Sequence, residues 1–208
     1  MAIVAAPVGL DGMRRAALAV FAVFGVVYAV TVGRPTARAL AGAAGLVAFT
    51  FVVGAAALGW AQTPPDAVPL ALQIASLSAA AGGGLAALVL GHWYLVTPKI
   101  STRPLIVLSL ALAVVIFVQL SLFAVWALFG GGPGQVAFDS LVGSAALFGW
   151  LRLAVSLVFP LVLAVMAWRT AQTRSMESAT GLLYIAVAAI AAGTIGAATL
   201  YVTRGILI

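Results

Sequence analysis

A chain of 208 residues that is 65% hydrophobic and only 7% charged is not composed like a soluble globule, in which about half the residues are apolar and about a quarter charged. Its mean hydropathy of +1.25 and net charge of +6, from ten basic and four acidic side chains, place its business in a bilayer or at its surface. The basic residues are scattered singly apart from Arg14-Arg15, which excludes a clustered nucleic-acid-binding face, and the absence of cysteine excludes disulfides, iron–sulfur clusters, thiolate metal sites and thiol nucleophiles.

Runs of 18 or more apolar residues are long enough to cross the hydrocarbon core as helices, and six such runs follow one another. The start, Met1 to Asp11, lacks a positive region ahead of an apolar core and a small-residue cleavage pattern, so no cleaved signal is expected there. The spans are expected at roughly 16–32, 38–61, 67–95, 104–129, 141–168 and 178–207. Gly33-Arg34-Pro35-Thr36, Gln62-Thr63-Pro64-Pro65-Asp66 and Gly130-Gly131-Gly132-Pro133-Gly134 are turn-forming clusters between them. Thr97-Pro98 and Arg103-Pro104 bracket another, because proline suits a first helical turn and disfavours helix in the residue before it. Pro160 is expected to kink the fifth span. Ser175 is expected to cap the sixth, with Glu177 favourable in its first turn. The expected fold is therefore all-α: a single polytopic membrane domain of six helices in three hairpins.

Connections one, three and five carry Arg34, Arg38, Lys99, Arg103, Arg169 and Arg174, against Arg14, Arg15 and Arg204 on the other side. Basic residues near span ends favour the cytoplasm, so the odd connections are expected inside and both termini outside, although Arg14 and Arg15 beside the first span pull the other way. Abundant alanine and nine arginines to one lysine suggest a bacterial chain and hence the cell (inner) membrane. Arg38, Arg103 and Arg169 recur 65 and 66 residues apart. Tyr28-Ala29-Val30-Thr31 with Arg38-Ala39-Leu40 matches Tyr94-Leu95-Val96-Thr97 with Arg103-Pro104-Leu105. Such a match reads either as an internal repeat, common in transporters, or as the ordinary chemistry of span ends, where aromatic and basic residues collect.

Few residues offer chemistry. His92, the single histidine, lies in Gly91-His92-Trp93-Tyr94; it reads as a ligand or proton-handling group, or more simply as part of an interfacial aromatic belt with Trp93 and Tyr94. Arg152 is the one basic residue well inside a span, where a charge costs several kcal/mol unless paired or hydrated. It reads equally as an anion, quinone or carboxylate site and as a side chain snorkelling to the surface beside Trp150. Gln73, Ser76 and Ser78, and Gln119 and Ser121, are polar groups within spans that line a path or bond neighbouring helices. Gly82-Gly83-Gly84 and the small residues at 191–196 permit close helix approach. Arg103, Arg169 and Arg174 are expected to meet lipid phosphates or an acidic partner.

No metalloprotease, aspartate-rich or paired-carboxylate motif is present, so no catalytic set assembles and no metal site is expected. No motif encodes a cofactor; a quinone or haem shared with another subunit stays open. The simplest expectation is a non-catalytic subunit of a larger membrane complex, for example a respiratory or other electron-transfer assembly, in contact with the lipid bilayer and other membrane subunits. The alternative is a small-solute or anion transporter or channel using Arg152 with the intramembrane Gln and Ser residues, without the acidic residue that proton- or sodium-coupled carriers use.

Overall fold

The computed structural model describes residues 8–31, 33–97 and 101–208; what the sequence led us to expect of Met1–Pro7, Val32, Pro98 and Lys99 lies outside the described residues. Among these residues the regular structure is helical throughout. Helices α1 (Val8–Val30), α2 (Pro35–Trp60), α3 (Ala67–Val96) and α4 (Arg103–Phe129) follow in order. A short α5 (Asp139–Val142) then precedes α6 (Ala146–Leu151), a π-helical stretch Arg152–Val158, α7 (Phe159–Gln172) and α8 (Met176–Arg204). Six of these rods, with α6 through α7 counted as one, are long and apolar enough to cross a membrane. The chain is a multi-pass α-helical membrane protein, and its large apolar side chains that face outward (Phe51, Phe117, Val162, Ile195) face lipid.

Several ends differ from expectation for physical reasons. Pro35 opens α2 in the first-turn position, where its missing N–H costs nothing, so this helix starts before Arg38. The fifth span does not start at Leu141: Gly143 leaves helical geometry after α5, and the rod resumes at Ala146. The sixth helix stops at Arg204 because Gly205 takes a left-handed φ of +70°, a conformation that ends helices and that glycine adopts without a Cβ clash. Ser175 does hold the capping position of α8, but its hydroxyl bonds the Ser178 hydroxyl at 3.1 Å rather than a backbone N–H.

The chain divides into two compact units, Met1–Ile74 and Ala75–Ile208, with the boundary inside α3. In the first, α1 and α2 form an antiparallel hairpin in regular register. Gly42 packs under the Tyr28 ring, Gly45 meets Phe24, the Phe21 and Phe49 rings stand 5.9 Å apart, and Arg14 Nε donates to the Ala55 carbonyl at 3.2 Å. Small residues bring the helices together, the usual solution where lipid removes any hydrophobic drive to associate.

In the second unit α7 lies against α4 and α8, and the π-helical stretch against α4 and α8. Two apolar clusters fill its interior. One gathers Ala80, Ala87, Leu105, Leu112, Ile116, Ala164, Leu183 and Ile190; the other gathers Leu77, Phe123, Ala127, Leu157, Ala197, Leu200, Ile206 and Ile208. The segment after α8 folds back onto the second cluster and is held by one amide. Leu207 N donates to Gln135 Oε1 at 3.0 Å, and Gln135 Nε2 donates to Leu207 O at 3.2 Å.

Candidate functional site

Between the two clusters lies a polar layer. On α4 the order is Ile116, Gln119, Phe123; on α8 it is Ile190, Gly193, Ala197, so in each helix an apolar residue of either cluster flanks the layer. Arg152 enters this layer from the fifth rod. It is only 5% exposed, and Gln119 and Ser156 beside it are equally buried.

Local sequence explains the placement. Arg152, Ser156 and Pro160 recur at intervals of four, which on a helix puts them on one face. Pro160 cannot donate a backbone bond and its ring would strike the carbonyl four residues earlier, that of Ser156. The stretch before it is wound wide: Phe159 N donates to Ala154 O, five residues back. π-helical insertions of this kind are rare and occur often at functional sites. Gly193 supplies the remaining room: a Cβ there would overlap the Ser156 side chain and lie 2.6 Å from Arg152 Nη1.

The guanidinium makes one side-chain hydrogen bond, Nη2 to Gln119 Oε1, at a long 3.4 Å. Arg152 Nε and Gln119 Nε2 are buried with no acceptor. No carboxylate meets Arg152 among the described residues: Asp66 accepts from Thr63, and Asp139 and Glu177 sit in the first turns of α5 and α8. Both unsatisfied groups are donors and the only formal charge among them is positive, so an acceptor bearing negative charge is what they lack. A charge at a helix centre costs about 2.5–3.5 kcal/mol even on insertion-derived scales, and one long bond to a neutral amide offsets little of that.

The depth of Arg152, ambiguous in the sequence, follows from its partner. Gln119 lies roughly 15 Å from the Phe129 end of α4 and roughly 24 Å from the Arg103 end, at 1.5 Å per residue. Arg152 does not snorkel beside Trp150. Trp150 is exposed and donates its indole N–H to the Leu141 carbonyl at 3.1 Å, whereas Arg152 turns inward.

Within the second unit, His92, Trp93, Tyr94, Ser121, Arg103, Arg169 and Arg174 do not join this layer. His92 and Trp93 face outward and line an apolar groove of about 430 Å³ with Leu88, Val89, Val96 and Tyr184. Tyr94 turns the opposite way, is 2% exposed, and donates to the Ser101 carbonyl, so the Gly-His-Trp-Tyr string serves two different surfaces. Gln73 is buried in the part of α3 that belongs to the first unit. Ser121 bonds back to Phe117 O within its own helix. Arg103, Arg169 and Arg174 collect at the far end of the second unit, at the termini of α4, α7 and α8. The arginine rhythm also divides: Arg38 stacks over Tyr28 and Arg169 over Trp168, each at 4.6 Å, while Tyr94 is committed to Ser101. Ser156 and the specific role of Gly193 escaped the sequence reading; the four-residue spacing from Arg152 was the available signal for Ser156.

Fold and site together define a six-span membrane protein in which Arg152, among the described residues, is a buried cation in an internal polar layer. No protein-family model matches the chain, and neither a curated protein nor a solved structure is similar enough to be matched to it.

Proposed function

We propose that this protein binds a small anion at the Arg152 layer and moves it across the membrane. The observation that carries the reading is the guanidinium itself: buried, with no carboxylate against it among the described residues, with donors of Arg152 and Gln119 both unsatisfied, and with an apolar cluster on either side. An internal site closed off from both faces by apolar packing is the arrangement that alternating access requires. Arg152 supplies the charge, Gln119 a second donor, and Gly193 the space that lets α8 approach. The chain sits in the inner membrane of a bacterial cell in this reading, with Arg34, Arg38, Arg103, Arg169 and Arg174 on the cytoplasmic side by the positive-inside tendency.

The test is anion flux into liposomes containing the purified protein, followed with a halide-quenched dye. Flux that falls at least tenfold in Arg152→Gln supports the reading; flux equal in the two proteins overturns it. The other reading, a subunit of a larger complex such as an electron-transfer assembly, draws on the outward groove at His92, Trp93 and Tyr184, whose apolar walls and rim aromatics suit a quinone ring, a lipid chain or a partner helix. We rank it second, because a groove that opens onto the bilayer is filled by lipid without any partner, whereas nothing in the bilayer core satisfies Arg152.

A further inference from the structure

We infer that the Arg152 layer selects small, weakly hydrated, monovalent anions, of the chloride or nitrate type, and rejects sulfate and phosphate. The inference rests on the reading of the layer as an anion site and concerns its specificity. Three features carry it.

The first is charge. Arg152 is the one formal charge in the layer, with neutral Gln119, Ser156 and Gly193 around it. The cost of taking an ion out of water rises with the square of its charge, so a divalent anion loses roughly four times as much hydration as a monovalent one of equal size. A single guanidinium balances one negative charge and leaves the second uncompensated in a medium where that is expensive.

The second is donor number. The unsatisfied donors are Arg152 Nε and Gln119 Nε2. Tetrahedral oxyanions bound without water need donors to four oxygens, and sites that hold them combine several arginines or the backbone amides of a helix start. Two side chains suffice for a halide or for two oxygens of a planar nitrate.

The third is access. Toward one face lie Ile116, Leu112, Leu183 and Ile190, and toward the other Phe123, Ala197, Leu200, Ile206 and Ile208. An ion passing either cluster leaves its water behind, which ranks anions by ease of dehydration before any contact with Arg152.

Melting of the wild-type protein in detergent, at fixed ionic strength and pH with the sodium salts of nitrate, chloride, sulfate and phosphate, tests this. Nitrate and chloride are expected to raise the melting temperature along a saturating curve, as a ligand of the native state does, with half-saturation at least tenfold lower than any saturable response to sulfate. Sulfate and phosphate are expected to act only through the gradual, non-saturating stabilisation that excluded salts give every protein. The saturating response is expected to vanish in Arg152→Gln and to persist, weakened, in Arg152→Lys. A saturable, Arg152-dependent response to sulfate or phosphate as tight as that to nitrate overturns the selectivity and leaves the anion site standing. No saturable response to any of the four anions overturns both. Should Arg152→Gln fail to fold, the ratio of half-saturating concentrations in the wild-type protein decides alone.

Discussion

The hairpin of α1 and α2 and the bundle of residues 75–208 use arginine in opposite ways. Arg38 at a hairpin end lies over the Tyr28 ring in the open, and Arg14 reaches along the hairpin to a backbone carbonyl of α2. Each has a partner within its own hairpin. Arg152 finds only one long bond to the neutral Gln119 amide, in a layer bounded on either side by Leu, Ile, Ala and Phe. The same side chain is therefore an interface anchor in one region and a standing electrostatic cost in the other. A cost that the fold does not offset internally is the mark of a group kept for something outside the chain.

That contrast can be broken in several ways, the largest effect first. Arg152→Met should abolish anion-dependent flux and leave the melting temperature unchanged or raise it, because replacing a buried, unpaired charge by an apolar side chain of similar length removes its desolvation cost. A structural arginine would behave in reverse, losing stability along with flux. Next, Gly193→Ala should destabilise by about 1–3 kcal/mol through overlap with Ser156 and Arg152. Gly196→Ala on the same helix, where an added Cβ meets nothing within 4 Å, should be neutral or stabilising by about 0.4–1 kcal/mol; chemical unfolding of the two variants side by side checks this. Gln135→Ala should cost about 1–2 kcal/mol for the pair of bonds to Leu207 and should speed hydrogen exchange at the Leu207 amide. The smallest effect is expected for Arg38→Ala, at about 0.5–1 kcal/mol for an exposed cation–π contact, with flux unaltered.

Much of the architecture was legible from hydropathy. Six apolar runs separated by glycine and proline clusters led to six spans, and six helices are long and apolar enough to cross a membrane. What stayed hidden was which face of each span turns inward. A helix that is apolar all round carries no moment to point with, so Gln119 stood out within Ile116–Phe123 as a polar group without a direction, and nothing in Ile190–Ala197 announced the other side of the layer. For the same reason Arg152 read equally as snorkelling or buried, until the wide turn ahead of Pro160 and the missing side chain of Gly193 fixed its direction. The tyrosine–arginine match of the first two hairpins was misleading at the level of contacts. Tyr28 is 41% exposed and pairs with its arginine, whereas Tyr94 is buried and does not.

The measurement that goes straight to the central claim is nuclear magnetic resonance of the arginine Nε–H groups in protein labelled only at its nine arginines. The Nε resonance of Arg152 is identified by its loss in Arg152→Met. It should shift along a saturating curve as nitrate is added at constant ionic strength, while the exposed arginines drift linearly or stay in place. A resonance of Arg152 that does not respond, or that responds only as the surface arginines do, would contradict an anion site in the membrane.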